Sequence, residues 1–218
     1  MNKKNKTELL GKEKICETAI QLIHQEGLNK LSMRSIAQTL QVSATALYWH
    51  FKDKDELLEY LSDVIVSRIP YPNKINSWDR QLLELGLNYR QVLLTIRDST
   101  QIMLNTPPFT PYRLKLIESL YQLLLTAGFE SERVPTLAGM FHNYVLAYVA
   151  DEMNYMQKNE ERGMEPDNAV QETIHKFESS PVEEFPAIVK LAKESAQIHS
   201  DNFEYGLMVL LSGFKQSL

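Results

Sequence analysis

One cysteine, Cys16, stands alone in 218 residues. That excludes an internal disulfide and any zinc cluster built on several thiolates. Glycine is scarce, at eight residues, and the alternating β-branched runs that mark strands are missing. No apolar run approaches the roughly eighteen residues that a bilayer-spanning helix needs. The opening MNKKNKTELLGKEK carries none of the apolar stretch of an export signal. Also missing are a nucleophile elbow, a phosphate-cradling glycine loop and a His-Glu-x-x-His helix. The absences together lead us to expect an all-α, cytoplasmic protein that is no enzyme, has no membrane segment and takes no metal or cofactor. Cys16 sits beside an apolar helical stripe and reads as a packed core thiol. His24, His142, His175 and His199 are scattered without ligand spacing, and His142 is the one with a place near a cavity.

Charge is scarce in one sign only over part of the chain. Residues 1–54 hold 9 Lys and Arg against 5 Asp and Glu, a balance of +4, and the remainder holds 14 against 23, a balance of −9, giving the net −5. A basic beginning on an acidic chain fits a segment that meets a polyanion, although short basic tails also occur without such a role.

What is present is helical periodicity. Ile15, Ala19, Leu22 and Ile23 make one apolar stripe over 12–26, and Gly27 ends it. A short helix over 33–40 has Ser32 as its N-cap. Three residues, Gln41, Val42 and Ser43, lead into a third helix over 44–50 that Ser43 caps. A fourth starts at Asp53, with Glu56 completing a variant capping box. "IPYPNKINS" over 69–77 interrupts the pattern, because Pro70 and Pro72 cannot sit inside a helix. We expect domains at 1–68 and 78–218 with 69–77 as linker. Later helices are expected near 77–97, 111–127, 132–158, 182–198 and 202–216, with an irregular connection at 105–111 and a polar loop at 158–168.

Two short helices joined by a three-residue turn and preceded by a longer one match a helix-turn-helix module. The helix that enters the major groove, about 12 Å wide, must lead with small side chains. Ser43, Ala44 and Thr45 provide that end. Leu47 and Phe51, four apart, should turn back into the domain. Tyr48, Trp49 and His50 are then left outside with Lys52 and Lys54, where their O–H and N–H donors can meet phosphates and sugars.

"LSMRSIAQTLQVSATALYWHFKDKDELL" resembles the N-terminal signature of the TetR family of bacterial repressors. A weaker likeness continues through "RDSTQIMLNTPP", "HNYVLAYVADE" and the final "FEYGLMVLLSGF". The resemblance implies an N-terminal helix-turn-helix DNA-binding domain of three or four helices and a larger C-terminal helical domain for ligand binding and dimerisation. It further implies a homodimer on double-stranded, near-palindromic operator DNA, released by a small-molecule inducer. Ser32, Arg34, Ser43, Ala44, Thr45, Tyr48, Trp49, His50, Lys52 and Lys54 would form the DNA-binding surface. Ala44 departs from the long amide found in the tetracycline-binding members and Thr45 from their proline, so the recognised sequence should differ from theirs.

By the same resemblance a cavity lies between the helices near 77–97, 111–127 and 132–158. Leu85, Tyr89, Met103, Thr106, Phe109, Tyr144 and Tyr148 are the candidates to line it. Met103 stands where the tetracycline-binding members ligate magnesium through histidine, and Pro107 where they have arginine. A thioether is a poor ligand for a hard cation, and Asp151, near an acidic position that assists the metal, is alone. An apolar or aromatic inducer is expected instead. A regulator controlled by a protein partner is the alternative, and the long segment after residue 68 weighs against it. The dimer is expected through the helices near 132–158 and 202–216. Phe203, Gly206, Leu207, Leu210, Leu211 and Phe214 form a wide stripe there, and Gly206 and Gly213 would let a partner helix come close.

Overall fold

Gly27 ends the first helix, α1 (Lys12–Glu26), at φ 84°, a backbone region that side-chain-bearing residues avoid. The computed structural model describes residues 10–194 and 202–218; the expected positions 195–198 of a helix, and His199, lie outside the described residues. After α1 come α2 (Met33–Leu40), α3 (Ala44–Tyr48) and α4 (Lys54–Ser67). Ile15, Ala19, Ile23, Ile36, Leu47, Leu57 and Leu61 all have zero exposure and hold these four helices on one apolar centre. The caps are those expected: Ser32 accepts from Ser35 N, Ser43 from Ala46 N and Asp53 from Glu56 N. The box at α4 differs in one detail. Glu56 reaches back to the N–H of Lys52, one residue before the cap, at 2.6 Å.

Seven more helices follow: α5 (Trp78–Leu94), α6 (Ser99–Asn105), α7 (Pro111–Ala127), α8 (Val134–Glu161), α9 (Pro166–Glu178), α10 (Pro186–Glu194) and α11 (Asn202–Lys215). The described residues contain no strand, and no helix among them is long and apolar enough to cross a membrane. α5, α7, α8 and α11 pack around Leu82, Leu93, Phe141, Val145, Val149 and Leu207, and this core is continuous with that of α1–α4. Two helices go beyond the sequence expectations. α6 buries only Ser99, Thr100, Ile102 and Met103, too few residues to show a period. α9 buries Ala169 and Ile174 and otherwise reads as polar loop, and α8 extends to Glu161 into the stretch expected to be loop. α10 starts at Pro186 rather than near 182. α9 and α10 pack on one another through Ala169, Ile174, Val189 and Ala192, apart from the main core.

Besides this shared apolar core, two sets of hydrogen bonds tie the first four helices to the rest. In one, the Arg97 guanidinium donates to His24 O at 3.2 Å and the Asp98 carboxylate accepts from Leu28 N at 2.7 Å, so the turn before α6 closes over the end of α1. In the other, the Asp63 carboxylate on α4 accepts from the N–H groups of Tyr112 (2.7 Å) and Arg113 (3.2 Å). Those are orphan donors of the first turn of α7, and a carboxylate there also meets the positive end of the helix dipole.

The α2–α3 turn contains a left-handed residue that is not glycine: Gln41, at φ 56° and ψ 40°. A side chain in this region costs about 1 kcal/mol or more relative to glycine. Gln41→Gly should therefore raise stability by up to about 1 kcal/mol, read as a higher urea midpoint at unchanged m-value. A lower midpoint would show that the Gln41 side chain contributes more than its backbone strain removes.

Candidate nucleic-acid interface and ligand cavity

α3 is shorter than expected, ending at Tyr48, and the chain leaves it through a turn in which His50 and Phe51 both donate to Leu47 O. That turn separates the four consecutive rings. Phe51 is buried, edge-on to Tyr60 with Lys12 Nζ 4.9 Å from its ring centre, while Leu47 is sealed beneath α3. Tyr48 and Trp49 stay outside, at 53% and 86% exposure. Together the two rings make an exposed aromatic pair at the end of α3. Ser32, Arg34, Ser43, Ala44, Thr45 and Lys52 are exposed as well, and His50 is half-buried. All of these lie on α2, α3 or the turns around them, so the expected surface comes together. Lys54 is the partial exception. It is half-buried, and its ammonium donates to Leu28 O at 3.3 Å.

The second feature is a partly open cavity of about 220 Å³ lined by α6, α7 and α8 and by Pro108. Leu116, Leu120 and Tyr121 of α7 face Ala138, Gly139 and His142 of α8 across it, with Met103 and Arg113 at one end. Arg113 is 6% exposed. Its Nη1 donates to Thr106 O (2.9 Å), Thr106 Oγ1 (2.7 Å), Pro107 O (3.4 Å) and Ser62 Oγ (3.4 Å), and its Nη2 to Met103 O (3.1 Å). The guanidinium thus closes off the carbonyl end of α6 and touches α4. Burial lowers its pKa from the ordinary arginine value, against the fields of Tyr89 and Asp63. His142 stacks on Tyr89 with ring centres 5.9 Å apart. Burial holds the His142 imidazole down to a pKa of about 4, with the Arg113 charge acting in the same direction. Behind it the Tyr89 hydroxyl is buried without a hydrogen-bond partner among the described residues, and desolvation raises its pKa.

The structure rearranges the list of expected ligand contacts. Met103 lines the cavity. Tyr89 stands one layer behind, and Thr106 is buried as an acceptor for Arg113. Leu85 is core. Phe109, at 77% exposure, points away to solvent. Tyr144 and Tyr148 belong elsewhere: they cluster with Phe203 of α11, with the Arg90 guanidinium 5.3 Å from the Phe203 ring centre. Asp151 is exposed, and among the described residues no three His, Cys, Asp or Glu side chains come together as a metal site. Arg113 was missed, and its signal was present. It lies in register with Leu116, Leu120 and Leu124, an arginine on the buried stripe of α7.

The dimer expectation also shifts. Phe203, Leu207, Leu211 and Phe214 are buried in the chain's own core. A Cβ at Gly206 would run into the Tyr144 hydroxyl of the same chain, which donates to Phe203 O at 2.8 Å, so this glycine serves α8–α11 contact within the protomer. Gly213 meets nothing within 4 Å. The faces left open are Tyr205, Met208 and Val209 on α11 and Met140, Asn143 and Ala147 on α8.

Comparison with known proteins gives two family matches. Residues 15–61 match the bacterial regulatory proteins of the tetR family, and residues 70–218 match the tetracyclin repressor-like C-terminal domain. The class E tetracycline repressor protein of Escherichia coli is 28% identical over 216 residues, covering 96% of this chain and 92% of that one. An HTH-type transcriptional regulator of Saccharopolyspora erythraea is 31% identical over 153 residues, 70% of this chain and 65% of its own length. Among solved structures, the TetR family protein ActR of Streptomyces coelicolor in complex with actinorhodin superposes with a TM-score of 0.80 at 27% identity, covering 95% of this chain and 96% of that one.

Cavity electrostatics generates a pH prediction. Folded His142 titrates near 4 and an unfolded histidine near its ordinary 6.5. Above pH 6.5 both states are neutral and the residue contributes nothing to the pH dependence. As the pH falls from 6.5 to 4, the unfolded state binds the proton first, so stability declines, by about 3 kcal/mol, and then levels. His142→Gln should flatten this part of the stability–pH curve, measured by urea unfolding; an unchanged slope would assign the acid sensitivity to other groups.

Proposed function

The chain belongs to the TetR family of bacterial transcriptional regulators, and from that premise we propose that it is a repressor released from a near-palindromic operator by a small organic inducer. The observation that carries the reading is the pairing of two features: an exposed set of donors on α2 and α3, and a cavity whose wall, Arg113, also touches α4. Residues 1–68 act as the reading head and 78–218 as the ligand and dimerisation domain. Ser43, Ala44 and Thr45 approach base edges, Ala44 offering only methyl contact, for instance to thymine. Ser32, Arg34, Tyr48, Trp49, His50 and Lys52 hold phosphates and sugars, and Lys54 divides its ammonium between the backbone and DNA.

The inducer fills the space between α6, α7 and α8; the Streptomyces coelicolor relative ActR forms a complex with actinorhodin. Its walls fit a largely apolar, aromatic molecule. With Met103 in place of histidine, a tetracycline–magnesium chelate lacks its ligand, so this drug complex is not the inducer. Occupancy displaces the end of α6 and with it α4. Inducer and operator then oppose one another by the same factor in each direction.

Two reading heads require two subunits, and we place the dimer face on the open sides of α8 and α11, giving a four-helix bundle about a two-fold axis. Val209 is 55% exposed in the protomer, so Val209→Arg leaves the core intact and buries a charge at the proposed contact. Light scattering should find the variant monomeric at micromolar concentration with its helix content preserved. A dimer of wild-type affinity would move the interface elsewhere.

The DNA assignment is tested by fluorescence anisotropy on the chain's own upstream region. Tyr48→Ala should weaken binding roughly tenfold, and Lys52→Ala should lower the salt slope by about 1. The wild-type complex should survive tetracycline with magnesium. Unaltered binding by both variants would remove α3 from the interface, and release by micromolar tetracycline would overturn the inducer assignment.

A further inference from the structure

The cavity contains an unneutralised cation. Eleven residues line it, and none is Asp or Glu. Arg113, nine-tenths buried, is its one permanently charged side chain, since His142 is neutral at physiological pH. Among the described residues no carboxylate forms an ion pair with Arg113. Asp63, whose field does reach it, is committed to the backbone N–H groups of Tyr112 and Arg113. All partners of the guanidinium are neutral carbonyls and hydroxyls.

A guanidinium has five N–H donors. The bonds made by Arg113 run from Nη1 and Nη2 only, and Nη2 has a single acceptor, Met103 O. One Nη2 hydrogen and the Nε–H are therefore without an acceptor among the described residues. Nε and Nη2 share the edge that takes a carboxylate side-on, the arrangement that makes arginine the preferred partner of planar anions. An isolated buried charge is costly unless something pairs it. An apolar chamber with one unpaired cation at its end is complementary to a molecule with an aromatic body and one anionic group.

We propose that the inducer is an aromatic organic anion, a carboxylate or an acidic phenol or enol, whose charge binds Arg113 while its rings lie between Leu116, Leu120, Ala138 and His142. This rests on the cavity reading above and adds the charge. It also gives the ligand a purchase on α4, because the same guanidinium donates to Ser62 Oγ and to the end of α6. An anion that draws Arg113 toward itself competes with those bonds.

A pair of probes of the same shape, one anionic and one neutral, tests the proposal: β-naphthoate and β-naphthamide, titrated into the full-length protein by calorimetry at neutral pH. The wild type should bind the carboxylate at least about tenfold more tightly than the amide. Arg113→Gln should bring the two within about twofold while amide binding persists. Because glutamine cannot reproduce every bond of Arg113 to α6, Gly139→Asp provides a second variant. Its new side chain enters open space at the cavity wall, with nothing within 4 Å of the Cβ, and leaves Arg113 untouched. Its carboxylate at the cavity wall should repel the anion and abolish the preference for it over the amide. Equal binding of both probes to the wild type, tighter binding of the amide, or an anion preference that survives in either variant would overturn the charge assignment and leave the cavity standing. Binding of neither probe would overturn the cavity reading itself.

Discussion

The junction of α4, α6 and α7 depends on one exchange of helix-end groups. Asp63 of α4 closes the N–H end of α7, and Arg113 of α7 closes the carbonyl end of α6. Each side chain supplies what the other helix lacks, a negative charge at an amino end and a positive one at a carboxyl end. Hydrogen bonds of this kind are directional and short in range, unlike the apolar packing around them. The reading head is thereby connected to the cavity wall by bonds that respond to a small displacement, where a greasy contact would simply slide. Ser62, fully buried on α4 beside Asp63, adds a third point of contact through the same guanidinium.

The two working surfaces use opposite strategies. On α3 the side chains are left out in water, with Trp49 almost wholly exposed and supported from below by Leu47 and Phe51. Rigidity comes from the caps of Ser43 and Asp53, which fix where the helices start. In the cavity the polar groups are withdrawn from water and their properties altered, so that His142 stays neutral through the physiological range. The first surface suits a polyanion whose own charge brings it in; the second suits a molecule that must leave water to enter.

The surface proposed to face DNA was legible in the sequence, because its determinants are local. Ser32, Ser43 and Asp53 cap helices within three residues of themselves, and the four-residue spacing of Leu47 and Phe51 states which rings turn inward. The cavity was less legible, since its walls come from α6, α7 and α8, far apart in sequence. Tyr144 and Tyr148 carry the chemistry of ligand contacts, but a rotation about α8 turns them toward Phe203 and α11. Gly206 read as a docking site for a second chain, and the Tyr144 hydroxyl of the same chain fills that place. α6 and α9 escaped because each buries too few apolar side chains to establish a period. Arg113 was hidden by ordinary expectation: an arginine in a polar-looking turn of sequence is assumed to face water until its neighbours at i+3 and i+7 are seen to be buried leucines.

The second grip, of Arg97 and Asp98 on the end of α1, constrains what kind of motion the first can transmit. Both grips belong to the same packed body, one just before α6 and one just after it. The Arg97–Asp98 clasp holds the head to that body at one point, and a displacement at the α7 end of the junction would turn the head about it. α4 then forms an arm about 21 Å long, with Asp63 near one end and α3 beyond the other. In a symmetric pair the two arms swing with opposite sense, so a small displacement beside the cavity would appear as a larger change in the separation of two recognition helices. In the proposed mechanism, the quantity that the inducer controls is then a pitch mismatch with the DNA double helix.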